Sequence, residues 1–367
     1  MKVAIEARAI TNKSGGVKRY VENLIKGVNE APADIDLTVI LDKDTNLPNI
    51  TSSVIKRYGQ IGLNNWLNNQ IPKELTKKKI DLVHYTKADV PNKKTLPTVV
   101  TIYDVIPLLY PKSQKFLNRM YWSKALRRAA TKSDAIITIS ETSKQDIVNQ
   151  LNVSAGKIAV TRLAIAKDKF QFTEEKEKNN PYILYVGTIE PRKNIAALIK
   201  SFNLIKDKFP HKLVIVGRKY KGYEALRELA QTEGISKRIE WKDYVDDNEL
   251  VQLYSKANLF VWPSIYEGWG FPPQEAMASG TPVIVSNGGA LPEVVGEAGS
   301  VVKFSSDNIK KRDNDPEFVT RLAQEMETVL SNKELQQSMT TKGKIQAAKY
   351  TWEDVAKTTI DVYKKLI

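Results

Sequence analysis

Short apolar runs of strand length recur along the whole chain, and they barely alternate with polar residues. The first half carries KVAIEAR, DLTVILD, DLVHYT, TVVTIYD, AIITIS and IAVTRLA, and the second carries YILYVG, KLVIVG, RIEWKDY, LFVWPS, TPVIVS and SVVKF. Runs rich in Val and Ile with no polar face suit strands buried on both sides. Amphipathic stretches such as ALRELAQTEG and DNELVQLYSKA lie between them. Strand alternating with helix implies parallel sheets with right-handed crossovers. The series restarts near Pro181, after the polar segment QFTEEKEKNNP, which reads as a linker between two doubly wound domains. A length of 367 residues also suits two cores better than one. Ligands in such folds bind beyond the carboxyl ends of the strands, so two facing domains imply a cleft.

The composition narrows the chemistry. Cys is absent, which removes disulfides and thiolate catalysis. With two His and no Cys, a structural zinc site is not expected. No apolar run approaches the roughly 20 residues of a membrane span, and MKVAIEARAI reads as a charged strand, not a signal peptide. The formal charge of +14 is one-sided: residues 1–166 hold 26 Lys and Arg against 14 Asp and Glu, whereas residues 167–367 hold 30 against 28. A basic first domain points to an anionic partner, whether nucleic acid, an anionic membrane or phosphorylated substrates, with plain solubility as the bland alternative.

Three segments carry candidate chemistry. In YILYVGTIEPRKN, Gly187 ends a buried strand and Arg192 and Lys193 follow just before a helix that begins near Asn194. Cations beside a helix N-terminus suit a diphosphate, with Arg supplying paired donors and Lys a compact charge; a solvated basic turn is the competing reading. In SGGVKRYVENLIKG, Gly15 and Gly16 open the first long helix and let backbone amides approach a ligand, although the pattern is not the dinucleotide fingerprint. In SIYEGWGFPPQEAMASG, a strand gives way to a glycine loop and then to a helix that Pro272 and Pro273 suit at its start. Glu267 falls in the loop and Glu275 in the first helical turn, so the two acids can accept hydrogen bonds from different hydroxyls of one ligand.

These segments resemble the retaining glycosyltransferases of family 4, which have the GT-B fold. EGWGFPPQEAMASGTPVIVSNGGALPEVVGEAG is similar to the E-x7-E region of that family, VGTIEPRKN to its phosphate loop, SGGVKRYVENL to its N-terminal glycine loop, DYVDDNELVQLYSKANLFVWPS to the segment before the two acids, and WEDVAKTTIDVY to its closing helix. The resemblance implies two Rossmann-like doubly wound domains facing a cleft: residues 1–170 binding the acceptor, 171–350 binding a nucleotide-sugar donor, and a helix over 351–367 that returns to the first domain. It implies that Glu275 holds the ribose and that Glu267 contacts the transferred sugar. The amides of Gly268, Trp269, Gly270 and Phe271 would line the sugar and phosphate pocket, and Val245 would meet the base. Lys193 matches the diphosphate lysine. Arg192 would supply the charge that many members place directly after the strand glycine, where this chain has Thr188. Gly187 ends the strand beside them, and Gly15 and Gly16 would approach the diphosphate from the first domain.

One position departs from the family. Members usually read His-Asp where TIYDVIPLLYP has Tyr103 and Asp104. Tyr is a poor base near neutral pH, so an enzyme His base is not expected, and His84, a lone His at another strand end, reads as structural. This suits a front-face mechanism in which a donor phosphate oxygen takes the acceptor proton while Arg192 and Lys193 stabilise the leaving diphosphate. No metal and no cofactor beyond the nucleotide-sugar co-substrate are expected, and the acids of VDDN suit a helix cap. Two basic stretches interleaved with aromatics, YPKSQKFLNRMYWSKALRRAATKSD and GLNNWLNNQIPKELTKKK, suit either an anionic membrane surface or ordinary core-facing helices. The expectation is a cytoplasmic enzyme, peripheral at the inner face of a membrane, acting in polysaccharide or glycolipid assembly on a glycan or lipid-linked acceptor. GDP-mannose is the first guess for its donor because IPLLYP is similar to mannosyl- and rhamnosyl-transferring members; UDP- or dTDP-sugars are alternatives. The rival functions are a glycoside hydrolase or phosphorylase, whose acids must flank one bond, and a non-catalytic basic nucleic-acid-binding protein, which would leave Glu267 and Glu275 without a role.

Overall fold

The computed structural model describes residues 1–367 except 12–14, 46, 48–49, 57–60, 114–115, 166–169, 171–179 and 220–221. Most of the expected linker, 171–181, lies outside the described residues. The chain divides into two compact units. One comprises Met1–Leu163 with Tyr350–Ile367, and the other Ala164–Lys349.

The first unit contains strands β1 (Lys2–Glu6), β2 (Asp36–Leu41), β3 (Thr51–Val54), β4 (Leu82–Tyr85), β5 (Thr98–Thr101), β6 (Ala135–Thr138) and β7 (Ile158–Val160). They form one parallel sheet in the order β3-β2-β1-β4-β5-β6-β7. Every residue of β4 and β5 is buried, as the unalternating sequence runs require. β3 was not among the expected strands. Its sequence, TSSV, is polar and mostly exposed because it forms one end of the sheet order. The core gathers around Trp66, Tyr85, Val100, Leu126 and Ile136. Trp66 is fully buried, and its ring N–H donates to the Ile55 carbonyl at 2.7 Å. The basic stretch around it therefore turns its aromatic residue into the core and not toward a membrane.

The closing helix Trp352–Lys364 belongs to this first unit. Thr351 caps it in a box with Asp354, satisfying amides at the helix start. It packs on the opening helix Gly16–Glu30 so closely that a Cβ on Gly27 would stand 2.9 Å from the Cβ of Ala356. Tyr363 fixes its far end: the Tyr363 hydroxyl lies 2.7 Å from Nδ1 of His84, whose Nε2 lies 2.8 Å from the Thr101 hydroxyl. Burial lowers the His84 pKa to about 3, so the imidazole is neutral and joins the helix to β4 and β5.

The second unit contains β8 (Tyr182–Val186), β9 (Lys212–Val216), β10 (Ile239–Lys242), β11 (Leu259–Trp262), β12 (Val283–Ser286) and β13 (Ser300–Val302), one for each expected run. All pairs are parallel, in the order β10-β9-β8-β11-β12-β13. This is the dinucleotide-fold order, and the direction of winding reverses between β8 and β11. In the first unit the same reversal falls between β1 and β4.

Candidate active site

The loops that leave β8 and β11 flank the reversal in the second unit, and the strongest sequence candidates sit on them. After β8, Pro191–Lys193 form a single 3-10 turn, and Asn194 takes a left-handed conformation (φ 55°) before the helix Ile195–Ile205. After β11, the chain runs through Ser264 to Gly270 and enters the helix Phe271–Ala278, with prolines at its start. A backbone bond stitches the loops together: the Ile265 N–H donates to the Arg192 carbonyl at 2.8 Å, and the Ser264 hydroxyl oxygen lies 3.2 Å from the same carbonyl.

This stitching brings Arg192, Lys193 and Glu267 into one cluster. Lys193 Nζ donates to Glu267 Oε1 at 2.6 Å, and an Arg192 N–H donates to Glu267 Oε2 at 2.9 Å. The same Arg192 nitrogen reaches the Tyr266 carbonyl at 2.6 Å, and its other terminal nitrogen reaches Glu190 at 2.6 Å. The Ser264 hydroxyl also donates to Glu267. Glu267 and Lys193 are buried. Burial pushes the Glu267 carboxyl up, but the charges of Arg192 and Lys193, with hydrogen bonds from Lys193 and Ser264, outweigh it and hold the pKa at about 2. Burial and the neighbouring Arg192 lower the Lys193 ammonium, while Glu267 opposes them. Glu267 is therefore an anion at neutral pH with no proton to give, which does not suit the general acid of a hydrolase.

The walls of the cluster are aromatic. Lys193 Nζ stands 4.8 Å over the Trp262 ring, and Tyr185 stacks on Trp262 with the centroids 5.1 Å apart. Gly187 permits this arrangement, since a Cβ there would come within 2.5 Å of Trp262. Gly289 supports the Glu267 loop from below. It has φ +64°, pairs with Glu267 in an isolated parallel bridge, and a Cβ there would meet the Glu267 carbonyl at 2.2 Å.

Glu275 is placed elsewhere. It is the fifth residue of its helix and so lies in the second turn, not the first, because the helix begins at Phe271 ahead of both prolines. It is buried and accepts a 2.9 Å hydrogen bond from Tyr254 on the neighbouring helix Asp247–Lys256. Trp269, between Gly268 and Gly270, turns inward, its ring N–H donating to Gln274 at 3.1 Å, so its side chain braces the loop. Val245 is half-buried in the loop beyond β10, two strands from β8. Asp246 in VDDN caps the helix Asp247–Lys256, accepting from the amides of Asn248 and Glu249.

The remaining candidates lie in the first unit, around a cavity of about 450 Å³. Gly15, Gly16, Lys18, Tyr103, Asp104 and Trp122 are among its lining residues. Gly15 precedes the helix Gly16–Glu30, whose N-terminus has no side-chain cap, while Ser14 of the same motif lies outside the described residues. The Tyr103 hydroxyl donates to the Thr86 carbonyl at 2.9 Å, and its ring meets Tyr20 edge-on at 5.2 Å. Burial, together with the charges of Tyr20 and Glu6, raises the Tyr103 phenol well above its ordinary value. Tyr103 is thus a wall residue with its proton committed to the backbone and cannot serve as a base. Asp104 accepts from the Ile106 amide at 3.0 Å.

The comparisons with known proteins fit this architecture. The profile described as "Glycosyl transferases group 1" matches residues 166–346, and the one described as "Glycosyltransferase Family 4" matches residues 14–168. O-antigen chain mannosyltransferase B of Escherichia coli is 32% identical over 286 residues, covering 73% of this chain and 70% of that relative. The chain belongs to the family 4 glycosyltransferases. Solved structures agree on the GT-B fold. Sucrose-phosphate synthase of Thermosynechococcus elongatus superposes with a TM-score of 0.79 at 20% identity, over 100% of this chain and 99% of that one. Anabaena HepE, in a complex with UDP-glucose, gives 0.75 at 15% identity over the whole of both chains.

The structure adds residues to this candidate site that the sequence did not single out. Ser264 and Glu190 complete the charged cluster, and Tyr254 partners Glu275. Ser264 stands three residues before Glu267 and was visible in the motif, but its partner depends on the bend of the loop. In the first unit, Arg8 and Asp89 form a buried ion pair at 2.7 Å, joined by a hydrogen bond from Tyr121 to Asp89. It crosses the reversal between β1 and β4, a position that only the sheet order reveals.

Proposed function

We propose that this glycosyltransferase moves a sugar, with retention of its anomeric configuration, from a nucleoside diphosphate sugar to a glycan or lipid-linked acceptor in polysaccharide or glycolipid assembly. GDP-mannose is the first donor to test, with the mannosyltransferase relative as support, and UDP- and dTDP-sugars are the alternatives. The enzyme works in the cytoplasm, at the inner face of a membrane.

The observation that carries this reading is the Arg192–Lys193–Glu267 cluster at the strand-order reversal of the second unit. Lys193 has three N–H donors and Glu267 accepts one of them. An arriving diphosphate meets a lysine and an arginine whose positions are already fixed, so little reorganisation is needed as charge develops on the leaving group. Glu267, kept anionic, accepts hydrogen bonds from sugar hydroxyls and sits where positive charge grows at the reacting carbon. Glu275, steadied by Tyr254, takes the ribose hydroxyls. With Tyr103 raised and committed to Thr86, the acceptor proton goes to a donor phosphate oxygen. The two cations take the charge-neutralising role a metal would fill, and among the described residues no three His, Cys, Asp or Glu stand together as ligands.

The test is transfer from a panel of GDP-, UDP-, dTDP- and ADP-sugars, with and without EDTA, followed by NMR of the product's anomeric proton. Transfer that survives EDTA and keeps the donor configuration is expected. An inverted product, or sugar release without nucleotide, overturns the reading.

A further inference from the structure

The helix Phe116–Lys132 begins on a surface that no other described residue covers. Among the described residues nine large hydrophobic side chains are exposed, and four of them fall here: Phe116 at 65%, Leu117 at 77%, Met120 at 42% and Tyr121 at 37%. The other five are scattered singly, which is ordinary for a protein surface. Positions i, i+1, i+4 and i+5 share one side of a helix, so the four form a patch and not a ring. Lys124 and Arg127 continue that side one and two turns later, both exposed. Arg119 lies against the Phe116 ring, 5.8 Å from its centroid. Between Asp104 and Asp134 the sequence has seven Lys and Arg and no Asp or Glu.

We infer that the first two turns of this helix dock on an anionic lipid bilayer, Phe116, Leu117 and Met120 entering the headgroup region while Arg119, Lys124 and Arg127 meet the lipid phosphates. An apolar tip followed by cations on the same side is the arrangement an interfacial helix needs. A second copy of the chain is the poorer occupant, because pairing this surface with itself would set like charges against each other. The next turns of the helix belong to the first unit's cavity: Trp122 and Leu126 line it. The hydrogen bond from Tyr121 to Asp89, itself paired with Arg8, fastens the helix at that level. A bilayer bound at the tip therefore lies within about two helical turns of the cavity wall, where a lipid-linked acceptor would enter. Only the meaning of this docking rests on the transferase reading. Vesicle binding needs neither donor nor acceptor, so a failed transfer assay and a failed docking assay are separate results.

The experiment is co-sedimentation of the full chain with vesicles of phosphatidylcholine alone or with a third phosphatidylglycerol. Binding to the anionic vesicles, weakened at least tenfold in Phe116→Ser/Leu117→Ser and again in Lys124→Glu/Arg127→Glu, is expected. Thermal melts should match the parent, and transfer to a soluble acceptor by Phe116→Ser/Leu117→Ser should be unchanged. Protein that stays in the supernatant, or binding that the substitutions leave intact, overturns the proposal. So does a dimer in solution that Phe116→Ser/Leu117→Ser dissolves in a chain that ignores vesicles, which would assign the patch to a second copy.

Discussion

Beyond β8 and β11, in the second unit, four charged side chains (Glu190, Arg192, Lys193 and Glu267) are already paired with one another. Beyond β1 and β4, in the first unit, the equivalent position holds a single buried cation, Arg8, between Asp89 at 2.7 Å and Glu6 at 3.7 Å, and a cavity of about 450 Å³ opens nearby. The strand order is the same through six strands. The difference shows that the winding reversal supplies a place and the loops decide its use. A group of constant chemistry, such as a diphosphate, rewards charges fixed in advance, because electrostatic preorganisation costs nothing at the moment of reaction. A variable partner rewards room and adjustable walls instead.

The sharpest way to break this contrast is to remove the acid at the centre of the paired cluster. Glu267→Ala leaves the buried Lys193 ammonium without its carboxylate partner, while the half-buried Arg192 keeps Glu190. A loss of about 3–5 kcal/mol is expected in the second unit, together with transfer below about a thousandth of the parent. Calorimetry and initial rates read the two effects. A chain that keeps its melting temperature would show that the cluster is not held by pairing. Next in size is Lys193→Ala, which in the proposed function removes a donor from the developing diphosphate charge. The expected cost is roughly 100- to 1000-fold in kcat, with a smaller loss of stability than for Glu267→Ala because burial already works against the ammonium. Near-normal kcat with raised KM would assign Lys193 to binding alone.

Acid titration separates the units by a smaller effect. His84 is depressed from 6.5 to about 3, so the unfolded chain takes up a proton that the folded chain refuses. Its contribution to the first unit is complete above pH 6.5 and is lost as the pH falls toward 3. Glu267 is depressed from 4.5 to about 2, so its contribution to the second unit is complete above pH 4.5 and is lost toward pH 2. Burial, then the charge of Asp104, raises Asp146 to about 6, which acts in the opposite sense in the first unit: its contribution is present below pH 3.8 and lost as the pH rises through 6. Hydrogen exchange of the parent and His84→Gln should therefore diverge between pH 6.5 and 3 in the first unit's strands and coincide in the second unit's. Divergence in both units would mean that they unfold together.

The same contrast governs what the sequence revealed. Each of the twelve apolar runs became a strand, including β7, β10 and β13, which are only partly buried, because Val- and Ile-rich runs bounded by polar segments mark strands even there. β3 left no such mark, being polar at the end of its sheet. The loop holding Glu267 was legible from its glycines and prolines, and Arg192 and Lys193 from their neighbours in sequence. That Glu267 meets these two was not derivable from spacing: it stands 75 residues from Arg192 and 74 from Lys193, and reaches them because β8 and β11 are adjacent. The basic stretches show the same limit, since charge pattern alone did not separate Trp66, which is in the core, from Phe116, which is exposed.

Tyr103 offers the finest test of the contrast. Tyr103 lines the first unit's cavity without giving up a proton, so deleting its hydroxyl should disturb little. Tyr103→Phe removes one hydrogen bond to the Thr86 carbonyl, worth about 1 kcal/mol, and keeps the ring against Tyr20. Transfer should fall by less than about tenfold, with the loss in the acceptor KM. Its pH profile between 6 and 9 should match the parent, since the phenol is raised well above that range and gives up no proton there. A loss as deep as that of Lys193→Ala, with an altered pH profile, would mean that the first unit also fixes its chemistry in advance, and the contrast between the two sites would fail.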